Sequence, residues 1–320
     1  MSKRRLFLVC AFVAASPSCS STSSTSPEGP TCAPATPAAF NLDMAGRAEG
    51  LVVSPDGTVF MSDFGTHVVR YAPPYTAGAE KTWATVPDSW IFGIMLDPKR
   101  KVIYAGARTP KMATTPLPAV YRIDVTDPTK ITKFADAEGG INGLTMGDDG
   151  SLYYADQCCS ASMPDPQRGN IYRITPAGVK TKVTKTPIDN ADGIAFGPDK
   201  KLYVIPYLET TCPITRLTLD ANFAETSRDV FVDLSANGGI HGDGIAFDKD
   251  GNLYLTAAGL YKVTKDKKVT KLSPIGGANI EFGVGALACT ELIWATNSAT
   301  VPPKHLNNTV VGQDVYWHRP

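Results

Sequence analysis

A glycine followed nine residues later by an aliphatic residue recurs six times, and this repeat constrains the fold more than any other feature of the chain. Successive glycines lie 43, 50, 50, 51 and 39 residues apart. Each glycine begins a short apolar segment that leads through a turn into a second segment, as in EGLVVSPDGTVFMSD and DGIAFDKDGNLYLTA. A fixed period of this length indicates one supersecondary unit repeated in space. The six pairs are Gly50/Val59, Gly93/Val102, Gly143/Leu152, Gly193/Leu202, Gly244/Leu253 and Gly283/Leu292.

Each repeat unit contains four short candidate strands. The third is seen in every unit, as VVRYA, VYRID, IYRIT, ITRLT, LYKVT and VYWHR, and a less regular fourth precedes the next glycine. Four antiparallel strands at this period are typical of a propeller blade. A sandwich or barrel does not explain the constant phase of the units, and no segment has sustained helical periodicity. The sequence therefore predicts an all-β, six-bladed β-propeller of four-stranded blades.

The two ends of the chain fit a closed ring. The sixth unit finishes with its third strand, and residues Ala39 to Met44 precede AEG much as TKFADAEGG precedes ING. We therefore expect this N-terminal strand to close the last blade and remove an open sheet edge. Cys32 lies just before that strand and Cys289 in the first turn of the sixth unit, so we hypothesise a disulfide between them.

The first residues are typical of an export signal. Basic residues 3–5 precede an apolar run, Leu6 to Ala15, that is too short for a mature transmembrane helix. Cys19 follows small residues, as in a bacterial lipoprotein signal, although simple cleavage and secretion is the alternative. The next segment is rich in Ser, Thr and Pro and cannot form a core. We therefore expect an export signal at 1–18, a tether at 19–37 and the propeller at 38–320.

Charge and export limit the partners of the protein. Lys+Arg and Asp+Glu both number 31, so there is no electrostatic case for nucleic acid or an acidic membrane. We expect membrane contact only through a lipid anchor at Cys19. The expected location is periplasmic or outer-membrane lipoprotein, or secreted, and we expect a monomer.

The residue before each repeat glycine is predicted to face the central channel. The first strand of every blade lines that channel, and all six begin at the same end, which we call the top. Four of the six residues carry a side-chain oxygen, and three of these are carboxylates. In chain order the six are Glu49, Phe92, Asn142, Asp192, Asp243 and Phe282.

These oxygens predict a metal site. Carboxylates that converge in a narrow channel repel one another, and a hard cation relieves that cost. An all-oxygen set suits Ca²⁺, with another divalent cation as the alternative. Asp-Gly and Asn-Gly are also ordinary turn dipeptides, but that reading explains neither Glu49 nor the shared register of the oxygens. We therefore predict that Glu49, Asn142, Asp192 and Asp243 are metal ligands, and we expect Phe92 and Phe282 to form apolar walls.

The chain after the tether resembles the SMP-30/gluconolactonase family of six-bladed propellers, which includes regucalcin. Its layout is also similar to that of diisopropylfluorophosphatase and the paraoxonases. The order Glu49, Asn142, Asp192, Asp243 matches the calcium ligands of those families, except that Asn is usual where this chain has Asp192. The resemblance implies a calcium-dependent hydrolase of a small-molecule lactone or related ester. By the same resemblance Asp243 is the first candidate for general base or nucleophile, and Asp192 is the second.

Other features leave alternatives open. His241, two residues before Asp243, is a third catalytic candidate, against the reading of an exposed loop histidine. Cys158 or Cys159 could bridge to Cys212, or the vicinal pair could form its own disulfide. A non-catalytic propeller, which binds a sugar or a protein partner and uses calcium structurally, is the alternative to the enzyme. The long connections that rim the top are expected to set specificity.

Overall fold

The computed structural model describes 49–63, 65–73, 81–108, 118–157, 168–248, 250–274, 276–282, 292–295 and 304–305. The export signal, the tether, the lipidation site, the closing strand and the Cys32–Cys289 pair lie outside these residues, as do Cys158 and Cys159. No helix of the described part has the length and hydrophobicity that a membrane crossing requires.

Five four-stranded antiparallel sheets follow one another along the described chain. The first contains β1 (Leu51–Val53), β2 (Val59–Ser62), β3 (His67–Tyr71) and β4 (Lys81–Thr85). The second contains β5 (Trp90–Asp97), β6 (Val102–Arg108), β7 (Ala119–Asp124) and β8 (Ile131–Asp136). In the third, β9 (Ile141–Met146) and β10 (Leu152–Asp156) precede a short strand β11 (Arg168–Gly169), and the sheet continues with β12 (Ile171–Ile174) and β13 (Lys180–Lys182).

The remaining strands continue the same pattern. A short strand β14 (Ile188–Asp189) pairs with β11. The fourth sheet contains β15 (Ala191–Phe196), β16 (Leu202–Pro206), β17 (Pro213–Leu219) and β18 (Glu225–Asp233), and a 3₁₀ turn at Ser235–Asn237 follows it. The fifth contains β19 (Ile245–Phe247), β20 (Leu253–Ala257), β21 (Gly259–Val263) and β22 (Val269–Ser273). A three-stranded sheet contains β23 (Asn279–Phe282), β24 (Leu292–Ala295) and β25 (Lys304–His305).

The first strands of the sheets form a ring. Each of β1, β5, β9, β15 and β19 contacts the first strand of the next sheet, and β23 contacts both β19 and β1. This arrangement is an all-β propeller, as the repeat predicted. The expectation of four strands per blade holds for five sheets, and the last sheet has three strands in the described part.

The repeat glycines are required by the closeness of neighbouring blades. A Cβ atom added at Gly93 would lie 1.9 Å from the carbonyl oxygen of Asn142, and one at Gly193 would lie 1.7 Å from that of Asp243. Real Cβ atoms do not approach backbone so closely, because the two atoms would overlap. Each glycine therefore lets the next blade lie directly against its own first strand.

Aromatic residues of the second strands fill the space between blades. Tyr203 of β16 is buried, and its ring meets Phe247 of the next blade at 4.8 Å and Phe231 of its own blade at 5.3 Å, both edge to face. Such ring pairs contribute about 1 kcal/mol each beyond their area burial. In the five four-stranded sheets the aromatic residues of the second strand are buried, so they are packing residues.

Cys212 belongs to this core. Its thiol is free and fully buried beside Ile205 and Ile214, and burial raises its pKa to about 12. The alternative in which Cys212 bridges to the rim of the third blade is therefore not what the structure shows, because the thiol packs inward among apolar side chains.

Gly193→Ala should lower the free energy of unfolding by about 3 kcal/mol, because the new methyl group overlaps the backbone of the adjacent blade. Gly251→Ala is the matched control, since a Cβ there meets nothing within 4 Å and only its φ of +81° opposes the change, at about 1 kcal/mol. Denaturant unfolding of both variants measures the difference. Equal losses in the two variants would contradict the proposed role of the repeat glycines.

Candidate channel-mouth site

Four polar side chains occupy equivalent positions at one end of the inner strands. Each lies immediately before a repeat glycine, and all four are buried. Glu49 and Asp243 precede β1 and β19, and their N–H groups donate to Ser62 and Thr256 carbonyl oxygens at 3.1 and 3.0 Å. Asn142 and Asp192 are the second residues of β9 and β15. The exposed fractions are 4% for Glu49, 5% for Asn142, 1% for Asp192 and 5% for Asp243.

The carboxyl group of Asp192 interacts with several charged and polar side chains of this end of the channel. Burial first, and then the negative charge of Glu49, raise the pKa of Asp192 well above its usual value. Arg108 and the amides of Asn142 and Gln157 oppose this shift. Its Oδ2 accepts a hydrogen bond from Gln157, whereas its buried Oδ1 has no hydrogen-bond partner within the described chain. A buried carboxylate oxygen left in this way favours a positive ligand.

Arg108, which the sequence reasoning missed, brings a positive charge to the same end. It ends β6, is 8% exposed, and its guanidinium lies 3.8 Å from the ring centroid of Phe92. Phe92 was expected to be an apolar wall. It is buried, and its ring also makes a cation–π contact with the Arg108 guanidinium. Arg108 donates to the Ile141 carbonyl oxygen at 2.9 Å and to the side chain of Gln157. The one signal in the sequence is that Arg108 is the last residue of a second strand, a position that the repeat brings to the same end of every blade.

Tyr207 and His241 form the rim beside Asp243. Their rings stack at 4.8 Å, and His241 Nε2 lies 2.7 Å from Glu209 Oε2. His241 has a φ of +52°, and its N–H donates to the Leu208 carbonyl oxygen at 2.9 Å. Burial, followed by the charges of Asp243 and Asp192, raises the pKa of Tyr207. The structure thus brings His241 to the rim with an exposed glutamate as its partner, and Tyr207 is the aromatic side chain next to the carboxylates.

Phe282 does not occupy the channel-mouth position that the repeat assigned to it. A Cβ at Gly244 would lie 2.4 Å from the Asn279 Cα and 2.7 Å from the Ile280 nitrogen, which puts Asn279 at the glycine position of this sheet. Ala278, which is 1% exposed, therefore takes the place of the polar residues. Phe282 instead packs edge to face on Tyr254 at 5.5 Å. The error arose because Gly283 follows Phe282 and imitates the repeat dipeptide.

Below the polar residues the inner strands enclose a cavity of about 180 Å³. Asn142, Asp192 and Asp243 line it together with mostly apolar strand residues. Glu281 of β23 also lines it, and burial raises the pKa of Glu281 to about 7 even though its carboxylate accepts the N–H of Phe282 at 3.0 Å. The channel therefore has a polar mouth and two further carboxyl residues, Asp97 and Glu281, in its lining.

The donor set fits a hard cation, although it is not drawn together into a closed cluster. Three carboxylates and one amide provide oxygen ligands, which Ca²⁺ prefers. The Oδ1 of Asp192 has no hydrogen-bond partner within the described chain, and burial together with Glu49 raises the pKa of this carboxyl group, so its ionised form would be stabilised by a bound cation. Among the described residues, no group of three or more His, Cys, Asp or Glu side chains already has a metal-binding arrangement.

Comparison with known proteins identifies the family of this propeller. The model of the SMP-30/gluconolactonase/LRE-like region matches residues 26–299, so the chain belongs to the SMP-30/gluconolactonase/LRE-like family. No curated protein sequence matches the chain.

Solved structures agree with the fold. A luciferin-regenerating enzyme is similar with a TM-score of 0.67 and 16% identity, over 86% of this chain and 97% of that one. A gluconolactonase from Xanthomonas campestris has a TM-score of 0.62 and 20% identity, over 82% and 86%. The calcium-binding protein regucalcin from Agrobacterium tumefaciens has a TM-score of 0.63 and 18% identity, over 80% and 85%. At these identities the likeness shows the fold alone.

Glu281→Gln should remove a pH-dependent loss of stability. A carboxyl group whose pKa rises from 4.5 to about 7 on folding binds its proton more tightly in the folded state, so its contribution to stability is lost as pH rises through that window. The variant should therefore gain about 2 kcal/mol over the parent at pH 8 and little at pH 4.5. Denaturant unfolding of chelator-treated protein across this range measures the difference.

Glu138→Gln is the control for this experiment, because that side chain is 59% exposed and lies outside the channel lining. It should unfold like the parent at every pH. A pH-independent effect of Glu281→Gln would contradict the assignment.

Proposed function

We propose that this protein is a calcium-dependent hydrolase of a small-molecule lactone or related ester, with the cation at the channel mouth. The observation that carries the proposal is the buried set of oxygens from Glu49, Asn142, Asp192 and Asp243 at one end of the inner strands. Membership of the SMP-30/gluconolactonase/LRE-like family supports the reaction class. One structural neighbour is named a gluconolactonase, which is consistent with the proposed lactone substrate. Another is named a calcium-binding protein, regucalcin, which is consistent with the proposed metal.

The four oxygen-bearing residues would hold the cation, and Asp192 Oδ1 is a buried oxygen that has no competing hydrogen bond in the described chain. When bound, calcium supplies a Lewis acid that stabilises negative charge developing on the substrate oxygen. Asp243 is our choice of general base or nucleophile, because it lies at the mouth with its carboxylate buried and beside Tyr207. Asp192 is the second choice, since its carboxyl group is already hydrogen-bonded by Gln157.

His241 is proposed only as a supporting group at the rim. Its imidazole pairs with Glu209, whose side chain is 84% exposed, and it stacks on Tyr207. A pair this exposed contributes little energy by itself. Its role would be to hold the Tyr207 ring over the carboxylates, where a substrate would enter.

We infer that the three-stranded sheet is a sixth blade completed by residues 39–44, that the chain is exported, and that a lipid at Cys19 or simple secretion determines where it acts. A small-molecule substrate and a monomeric state suit a single channel mouth.

Calcium should bind to the chelator-treated protein in a saturable way. Glu49→Gln should weaken that binding at least about tenfold, because it removes one anionic ligand. Isothermal calorimetry measures both proteins, and Glu209→Gln serves as a control that changes a rim carboxylate outside the ligand set. Saturable binding that is equal in all three would contradict the ligand assignment.

Asp243→Asn should lower turnover by about 10²-fold or more, with the fold retained, since an amide cannot act as base or nucleophile. Turnover is followed on a panel of lactones and aryl esters, and near-ultraviolet circular dichroism checks the fold. Unchanged turnover would reject Asp243. Calcium binding without hydrolysis of any panel member would favour the non-catalytic propeller, which binds a sugar or protein and uses the cation for stability.

A further inference from the structure

The Gln157 side chain makes hydrogen bonds to residues of three neighbouring blades at the channel mouth. Its side chain follows β10 of the third blade, and its backbone N–H donates to the Gly140 carbonyl oxygen at 2.8 Å. Its amide oxygen accepts from Arg108 of the second blade and from Asn142 Nδ2, the latter at 3.2 Å. Its amide nitrogen donates to Asp192 Oδ2 of the fourth blade. One side chain therefore contacts two of the predicted metal ligands.

Arg108 determines which way the Gln157 amide points. A guanidinium can only donate hydrogen bonds, so the group that it faces must be the oxygen of the amide. The amide nitrogen must then point to the other side, toward Asp192, which accepts as a carboxylate. In this way a fixed donor removes the ambiguity that an amide side chain otherwise has.

The orientation of the Gln157 amide also determines that of the Asn142 amide. Because Gln157 presents an oxygen, Asn142 must offer Nδ2, and its Oδ1 turns away from Gln157. Asn142 lines the channel, so Oδ1 is the atom that remains for a ligand there. Asp192 is likewise held by Oδ2, which leaves Oδ1 buried and without a hydrogen-bond partner in the described part of the chain.

The Arg108 guanidinium is itself fixed by several contacts, so it can determine the orientation of the Gln157 amide. Its guanidinium lies on the Phe92 ring, Nε donates to the Ile141 carbonyl oxygen at 2.9 Å, and a terminal nitrogen reaches the Gly140 carbonyl oxygen at 3.4 Å. These carbonyl groups directly precede Asn142 in the chain. A planar guanidinium with contacts on its face and its edge has little freedom to rotate.

We propose that Arg108 and Gln157 are positioning residues that orient Asn142 and Asp192 so that both present an oxygen to the cation. The proposal rests on the cation site of the proposed function and extends it to two residues outside the ligand set. The carboxylate of Asp192 fits the same arrangement. Gln157 can donate to a carboxylate, and Arg108 supplies the compensating charge.

Outer partners of metal ligands commonly change metal affinity by about 10–100-fold. Gln157→Met keeps the length of the side chain but removes both ends of the amide. It should weaken calcium binding at least about tenfold in calorimetry. Arg108→Met should have a similar effect, whereas Arg108→Lys, which retains a donor and a charge, should recover part of the affinity.

A second readout separates orientation from general stability. The luminescence lifetime of bound Eu³⁺ in H₂O and D₂O reports metal-bound water, and Gln157→Met should increase that water as one or both ligands turn away. Arg228→Met is the control, because it breaks a network with buried Glu225 on the outermost strand of the fourth blade. It should lower stability without altering calcium affinity or bound water.

The outcomes distinguish this proposal from the function on which it rests. Calcium binding by the parent that is unchanged in Gln157→Met and Arg108→Met would overturn the positioning role and leave the proposed cation site intact. No cation binding by the parent would reject the site and, with it, this inference. Loss of affinity that is matched by Arg228→Met would also overturn it, because the effect would then reflect stability alone.

Discussion

The approach of each first strand to the next blade is the constraint on which the rest of this propeller depends. At Gly93, Gly143 and Gly193 the space for a Cβ is taken by the backbone carbonyl of the residue that precedes the next repeat glycine. Neighbouring blades can therefore lie in direct contact only where the side chain is a hydrogen atom. The same contact brings the side chain of that preceding residue to the channel mouth, so the packing of the ring and the assembly of the polar site have one cause.

Carboxylates that are brought together at the channel mouth repel one another, and neighbouring positive and hydrogen-bonding groups partly offset this repulsion. The raised pKa of Asp192 shows that burial beside Glu49 disfavours its charge. Arg108, stacked on Phe92, and the amide of Gln157 compensate in part. A cation at the mouth would complete the compensation, and the buried Oδ1 of Asp192 has no hydrogen bond in the described chain that would compete with it.

The channel and the rim would have different roles in the proposed function. The wall below the mouth is mostly apolar, with Asp97 and Glu281 as its added carboxyl residues, and the rim presents Tyr207 stacked on His241. Substrate contacts would come from the rim, whereas the mouth would hold charge.

Sequence alone was sufficient for the propeller and for the shared position of Glu49, Asn142, Asp192 and Asp243, because a repeated unit in a closed ring puts equivalent residues at equivalent places. It was insufficient at the last sheet, where Phe282 before Gly283 imitated the pattern and the register instead puts Ala278 and Asn279 there. It also missed Arg108 and Gln157, which no motif distinguishes. Only the tertiary structure decided these, since the orientation of a side chain depends on hydrogen-bond partners from three different blades, and a linear repeat carries no record of such contacts.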